Sequence, residues 1–101
     1  MKAIWSPQAR MDAIEYAKHI AKDKPHAAAD WLDSVNEKAD LAARFPQSGR
    51  VVPEFGREEL RQLIVASHRL IYRVKANGVE IVRVFHTAKM LDEGDVADPV
   101  A

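Results

Sequence analysis

The spacing of apolar residues changes once along this chain, and the change divides it into a helical first half and a strand-rich second half. From about residue 7 to 22, Ala13, Ile14, Ala17, Ile20 and Ala21 recur three and four apart, one stripe along an amphipathic helix. Ser6 stands before it as an N-cap, and Pro7 occupies the first helical position, where a missing N–H is harmless. Asp23-Lys24-Pro25 interrupts the pattern. A second stripe, Ala28, Trp31, Leu32, Val35, Ala39, Ala42 and Phe45, predicts a helix over about 25–44, with Asp33, Glu37, Lys38, Asp40 and Arg44 facing water. Trp31 reads as core, its indole N–H needing a partner. So short a connection predicts an antiparallel hairpin, and neither apolar stripe is stable uncovered.

The cover is expected from the second half. Phe45-Pro46-Gln47-Ser48-Gly49 ends the helix, and Arg50 to Arg57 forms a loop containing Pro53 and Gly56. Three β-favouring runs follow, at about 59–65, 68–75 and 79–86, and Asn77-Gly78 between the last two is a strong hairpin signal. A two-residue Asn77-Gly78 turn pairs Ala76 with Val79, and therefore places Arg69 opposite His86, Ile71 opposite Val84 and Arg73 opposite Val82. Leu70, Tyr72, Val74, Ile81 and Phe85 then form the face toward the helices. Arg69, Arg73 and His86 share a more open one, and a change of loop length by one residue would undo the arrangement. The expected fold class is α+β: an N-terminal antiparallel helical hairpin packed on a small antiparallel β-sheet. It occupies residues 1–101 as one domain, with the acidic tail 92–101 frayed.

Composition excludes several functions. Fifteen Lys and Arg balance fifteen Asp and Glu, which argues against a strongly cationic nucleic-acid coat. No apolar run approaches the ~20 residues that a membrane helix needs. No signal peptide is read at Met1 to Arg10, so a cytoplasmic location is expected. The absence of cysteine removes disulfides and thiolate metal sites, and His19, His26, His68 and His86 lack any metal-ligand spacing. No phosphate-binding glycine loop and no nucleophile elbow is present, so neither metal nor cofactor is expected.

One constellation could carry chemistry: Glu54 in the loop, Arg69 on the middle strand and His86 on the last. Such a set cleaves a phosphodiester without metal when a carboxylate or imidazole takes the 2′-OH proton. An imidazolium then protonates the leaving oxygen, and a guanidinium stabilises the phosphorane. The same residues also suit a structural network, with Arg69 and His86 hydrogen-bonded across the strands and Glu54 a surface or capping carboxylate.

Several phrases in order resemble the RelE/ParE superfamily of toxins. They are Trp5-Ser6-Pro7 with Ala9, the Pro25 to Trp31 helix entry, Phe45-Pro46-Gln47-Ser48-Gly49-Arg50, Val52-Pro53-Glu54 and Leu60-Arg61. Ser67 to Val74, Val79 to His86 and Ala88 to Leu91 complete the pattern, which covers about residues 2–91. The resemblance implies the toxin of a type II toxin–antitoxin pair, of the plasmid-stabilisation kind, assembled with a cognate antitoxin as a hetero-oligomer. That antitoxin is expected to lay an amphipathic helix and an extended segment across apolar grooves. RelE-like members cut mRNA on the ribosome, whereas ParE-like members poison DNA gyrase. The Pro46 to Glu54 stretch and the Arg83 to Leu91 ending are similar to the ParE side. Strongly basic nucleases of the superfamily contrast with this neutral chain, and Lys89 and Met90 stand where nucleases often carry a catalytic aromatic. Glu54, Arg69 and His86 match the catalytic set of some nucleases in position, so a ribosome-dependent endoribonuclease is the alternative, and an inactive antitoxin-binding homologue a third. Arg61, Arg73 and Arg83 are the candidate contacts to target or antitoxin.

Overall fold

The computed structural model describes residues 2–97, and the fold follows the expected α+β plan. Strand β1 (Lys2–Trp5) leads into helix α1 (Pro7–Asp23), and Lys24 alone joins it to helix α2 (Pro25–Arg44). Strands β2 (Arg50–Val51), β3 (Leu60–Val65), β4 (His68–Lys75) and β5 (Gly78–His86) follow, and a single turn, α3 (Glu93–Val96), closes the described chain. The sheet order is β1-β5-β4-β3-β2. Its pairings are antiparallel except at one edge, where β1 runs parallel to β5. The apolar run Ala3-Ile4-Trp5 is thus an edge strand, and among the described residues the sheet has five strands where the sequence predicts three.

Both helices lie on one face of the sheet. Ala9, Ala13 and Ala17 of α1 and Trp31, Val35, Ala39 and Ala42 of α2 pack with Leu70, Tyr72, Val79, Ile81 and Val84. Alanine dominates the α1 stripe because the helix lies close to the sheet. Ile14 and Phe45, expected inside, are exposed. Trp31 is buried as expected; its Nε1 has no hydrogen-bond partner among the described residues, and its ring meets Tyr16 and His68 edge-on.

Tyr72, fully buried, ties the α2–β2 connection to the sheet. Its hydroxyl donates to the Pro46 carbonyl at 2.7 Å and accepts from the Gly49 N–H at 2.9 Å. Gly49 is required there, because a Cβ would lie 2.6 Å from both the Gln62 carbonyl oxygen and the Tyr72 hydroxyl.

The β4–β5 register differs from the expected one in two ways. The turn residues are Ala76 and Asn77, so Lys75 pairs with Gly78, which is already the first residue of β5. Gly78 answers both to its backbone, with φ +158°, and to β1, since a Cβ there would meet the Lys2 carbonyl oxygen at 2.6 Å. Further along, Tyr72 pairs with Ile81 but Ile71 with Arg83, so Val82 is an inserted residue, a β-bulge. The bulge inverts the alternation beyond it: Val84 joins the helix-side core, whereas Val82 and Phe85 join the second face. Arg69 consequently stands opposite Phe85, and His86 opposite His68. Leu70, Tyr72, Val74 and Ile81 meet the helices as expected; Phe85 does not.

Beyond Ile81 no strand among the described residues lies beside the outer edge of β5, and α1 with its N-cap supplies the missing partners. Ser6 Oγ accepts from Ala9 N–H as the helix N-cap and donates to the carbonyl of the bulged Val82 at 2.8 Å. Asp12 accepts from the Val84 N–H at 3.0 Å, and Tyr16 Oη from the His86 N–H at 3.1 Å. An edge that would otherwise invite intermolecular pairing is satisfied by side chains from one helix.

The second face is covered too. Val52, Leu60, Ile71, Val82, Phe85, Leu91 and Val96 form a smaller core there, against which Phe55 packs. The segment from Asp92, expected to fray, is a helical turn held by a capping box in which the Asp92 and Asp95 side chains each accept from the other's backbone N–H. The rest of that expected tail, 98–101, lies outside the described residues.

Candidate functional site

The loop after β2 brings Glu54 onto the second face, and strand alternation turns Arg69 of β4 toward it. The two form a bidentate pair, Arg69 Nη1 to Glu54 Oε1 at 2.9 Å and Nη2 to Oε2 at 2.7 Å, with both side chains largely buried. Gln62 on β3 accepts from Nη1 at 3.1 Å, and the Lys89 carbonyl accepts from Nη2 at 2.7 Å. Glu54 Oε2 also accepts from the Leu91 N–H. Hydrogen bonding to Arg69, aided by the Leu91 N–H and opposed by burial, pulls the Glu54 carboxyl down to about 2, and the same pairing raises Arg69. Together they clamp three separated parts of the chain: the 52–56 loop, the middle of the sheet and the segment after β5.

His86 does not join them. Its position opposite His68 turns its ring to the helix side, 5.3 Å from the His68 ring, while its Nδ1 accepts from the Ala88 N–H. His68 is buried between Tyr16 and Trp31, with ring centroids at 4.4 and 5.0 Å. Burial, with the neighbouring His86 charge, holds it below the usual imidazole range. Of the three candidate catalytic side chains, the fold brings two together and places the third on the opposite face. The expected cross-strand neighbour of Arg69 is lost because the Lys75–Gly78 pairing and the Val82 bulge shift the register.

The candidate contact arginines are likewise engaged within the chain. Arg61 donates to the Glu58 and Gly49 carbonyls, and Arg73 donates to the Val96 carbonyl at 2.7 Å. Arg83 forms a bidentate pair with Asp12, at 2.8 and 2.9 Å, lies over the Phe85 ring and donates weakly to the Asp95 carbonyl. Asp12, Gln62 and the Lys89 and Val96 carbonyls were not among the sequence candidates; Asp12 reads in sequence as one more solvent-facing carboxylate of α1. Around the clamp a 560 Å³ concavity opens, lined by Arg50, Gln62, Ile64, Thr87, Lys89 and Met90 among others. No cluster among the described residues could hold a metal ion, and no described helix is long and apolar enough to cross a membrane.

A sequence model of the ParE toxin of the type II toxin–antitoxin system parDE matches residues 3–91. The chain belongs to the ParE toxin family. The solved structure titled "Chromosomal ParDE TA system from P. aeruginosa" is similar, with a TM-score of 0.71 over 85% of this chain and 95% of that chain. At 19% identity that likeness concerns the fold. No curated protein sequence matches. Within this ParE-family chain, the helix pair and sheet agree with the expected RelE/ParE-like architecture.

Proposed function

We propose that this ParE-family chain is the toxin of a type II pair, that it inhibits DNA gyrase by binding, and that a cognate antitoxin neutralises it in a hetero-oligomer. The observation that carries the binding reading is the closed Glu54–Arg69 clamp. A general base works best with a pKa near the working pH, and a carboxyl held at about 2 with its oxygens engaged accepts protons poorly. The Arg69 guanidinium, bonded to Glu54, Gln62 and Lys89, is committed to the fold and not to a phosphorane. His86 stands on the other face, away from both. The family match supports the toxin role, and the zero formal charge fits a protein target better than a polyanion. Since gyrase works on cytoplasmic DNA, the chain acts in the cytoplasm.

Expression without antitoxin separates the alternatives. The binding reading predicts filamentous cells with gyrase-dependent DNA breaks and intact transcripts, and a His86→Ala chain that still arrests growth. Ribosome-dependent cutting of mRNA, abolished by His86→Ala while the fold persists, overturns it in favour of the nuclease. Unimpaired growth overturns it in favour of an inactive homologue.

A further inference from the structure

Residues 87–97 cross the second face of the sheet in an unusual manner. After the Thr87 N–H, which reaches the Ser67 carbonyl, and the Lys89 N–H, which closes a turn on the His86 carbonyl at the end of β5, the one backbone hydrogen bond described for this segment is internal, Asp95 N–H to the Asp92 carbonyl. Side chains hold its main chain instead. Arg69 donates to the Lys89 carbonyl, Glu54 accepts from the Leu91 N–H, Arg73 donates to the Val96 carbonyl and Arg83 to that of Asp95. Between these anchors two aliphatic side chains, Leu91 and Val96, are buried against Val52, Leu60, Ile71, Val82 and Phe85. Outside them the Glu93 carboxylate meets Arg57 at 3.3 Å, whereas that of Asp95 pairs with Lys89 of the same segment at 3.7 Å.

Arginines reading carbonyls, and apolar sockets taking spaced side chains, are how a protein surface recognises a peptide segment. We propose that the second face is a peptide-binding groove, occupied in this structure by the chain's own residues 87–97. This strap detaches in favour of a partner segment of the same chemistry: two aliphatic side chains five residues apart, with a carboxylate between them for Arg57. Contacts with the main chain are indifferent to sequence, so specificity rests on the two sockets and, more weakly, on the carboxylate facing Arg57. Exposed ion pairs such as Arg57–Glu93 add little and weaken with salt. Being tethered, the strap competes at an effective concentration in the millimolar range, so a free segment binds well only when the strap is released. The inference stands on these contacts and does not depend on gyrase being the target.

The probe is a fluorescent peptide of residues Thr87–Ala97, titrated against the full chain and against the chain carrying Leu91→Asp and Val96→Asp. The proposal predicts peptide binding at least about tenfold tighter to the released variant than to the wild type. It also predicts no binding of a peptide that itself carries Leu91→Asp and Val96→Asp. A folded variant that binds neither peptide, or both equally, overturns it. Should circular dichroism show the variant unfolded, hydrogen exchange in the wild-type chain decides. Leu91 and Asp95 amides exchanging at least about a hundredfold faster than those of the β4–β5 ladder support a strap that opens alone. Exchange of both sets only through global unfolding contradicts it.

Discussion

At the scale of single residues, the strongest constraints are close approaches and paired buried groups. Tyr72 serves a donor and an acceptor from one connection, so Tyr72→Phe strands the Gly49 N–H and the Pro46 carbonyl at once. The expected loss is about 1–3 kcal/mol, read as a lower urea midpoint with unchanged slope. Glu54 gives a pH signature. Its carboxyl is lowered from 4.5 to about 2 in the fold, so its stabilisation is complete above pH ~4.5 and disappears as pH falls toward 2. Allowing for solvent at the loop, about 1–2 kcal/mol is involved. Glu54→Gln should flatten the stability profile in that window; an unchanged profile would show that the pair is weaker than its geometry implies. Little of this was legible in sequence. Glu54, Arg69 and His86 stand out in the sequence as one set with Arg69 opposite His86, but nothing local says that Glu54, Gln62 and the Lys89 carbonyl are the guanidinium's partners. Gly49 and Gly78 read as turn residues, whereas each is needed because a distant backbone or ring passes close to it.

At the scale of elements, helix periodicity, the Ser6-Pro7 cap and the Pro25 entry were all readable, because each depends on residues within a turn or two. Strand register was not. It depends on the bulge at Val82, whose carbonyl is taken by Ser6 at the far end of the sequence, and on β1 passing Gly78. One inserted residue exchanges the roles of Val84 and Phe85 and separates His86 from Arg69. The same reasoning makes α1 a cover for a sheet edge, with Asp12 its central contact. Asp12→Ala removes the partner of the Val84 N–H and leaves Arg83, only 23% exposed, without its carboxylate. The expected cost is about 2–3 kcal/mol by chemical denaturation, well beyond that of an ordinary surface substitution. A loss within ~0.5 kcal/mol would mean that α1 holds the edge by packing alone.

At the scale of the whole molecule, the helices occupy one side of the sheet and the chain's own 87–97 segment much of the other. The expectation of an open sheet face carrying Arg69, Arg73 and His86 is therefore replaced by a closed one, with the arginines committed to carbonyls and carboxylates. Zero net charge conceals this arrangement, because the basic residues of the sheet half are matched locally and not only in sum. Such a molecule has its guanidinia arranged to hold a fold and a peptide segment, as the proposed action by binding requires. A supercoiling assay with purified gyrase puts that proposal to the test. With the folded wild-type chain in excess over gyrase, the expected result is that supercoiling stops and cleaved DNA accumulates. Full supercoiling at the same excess would contradict it.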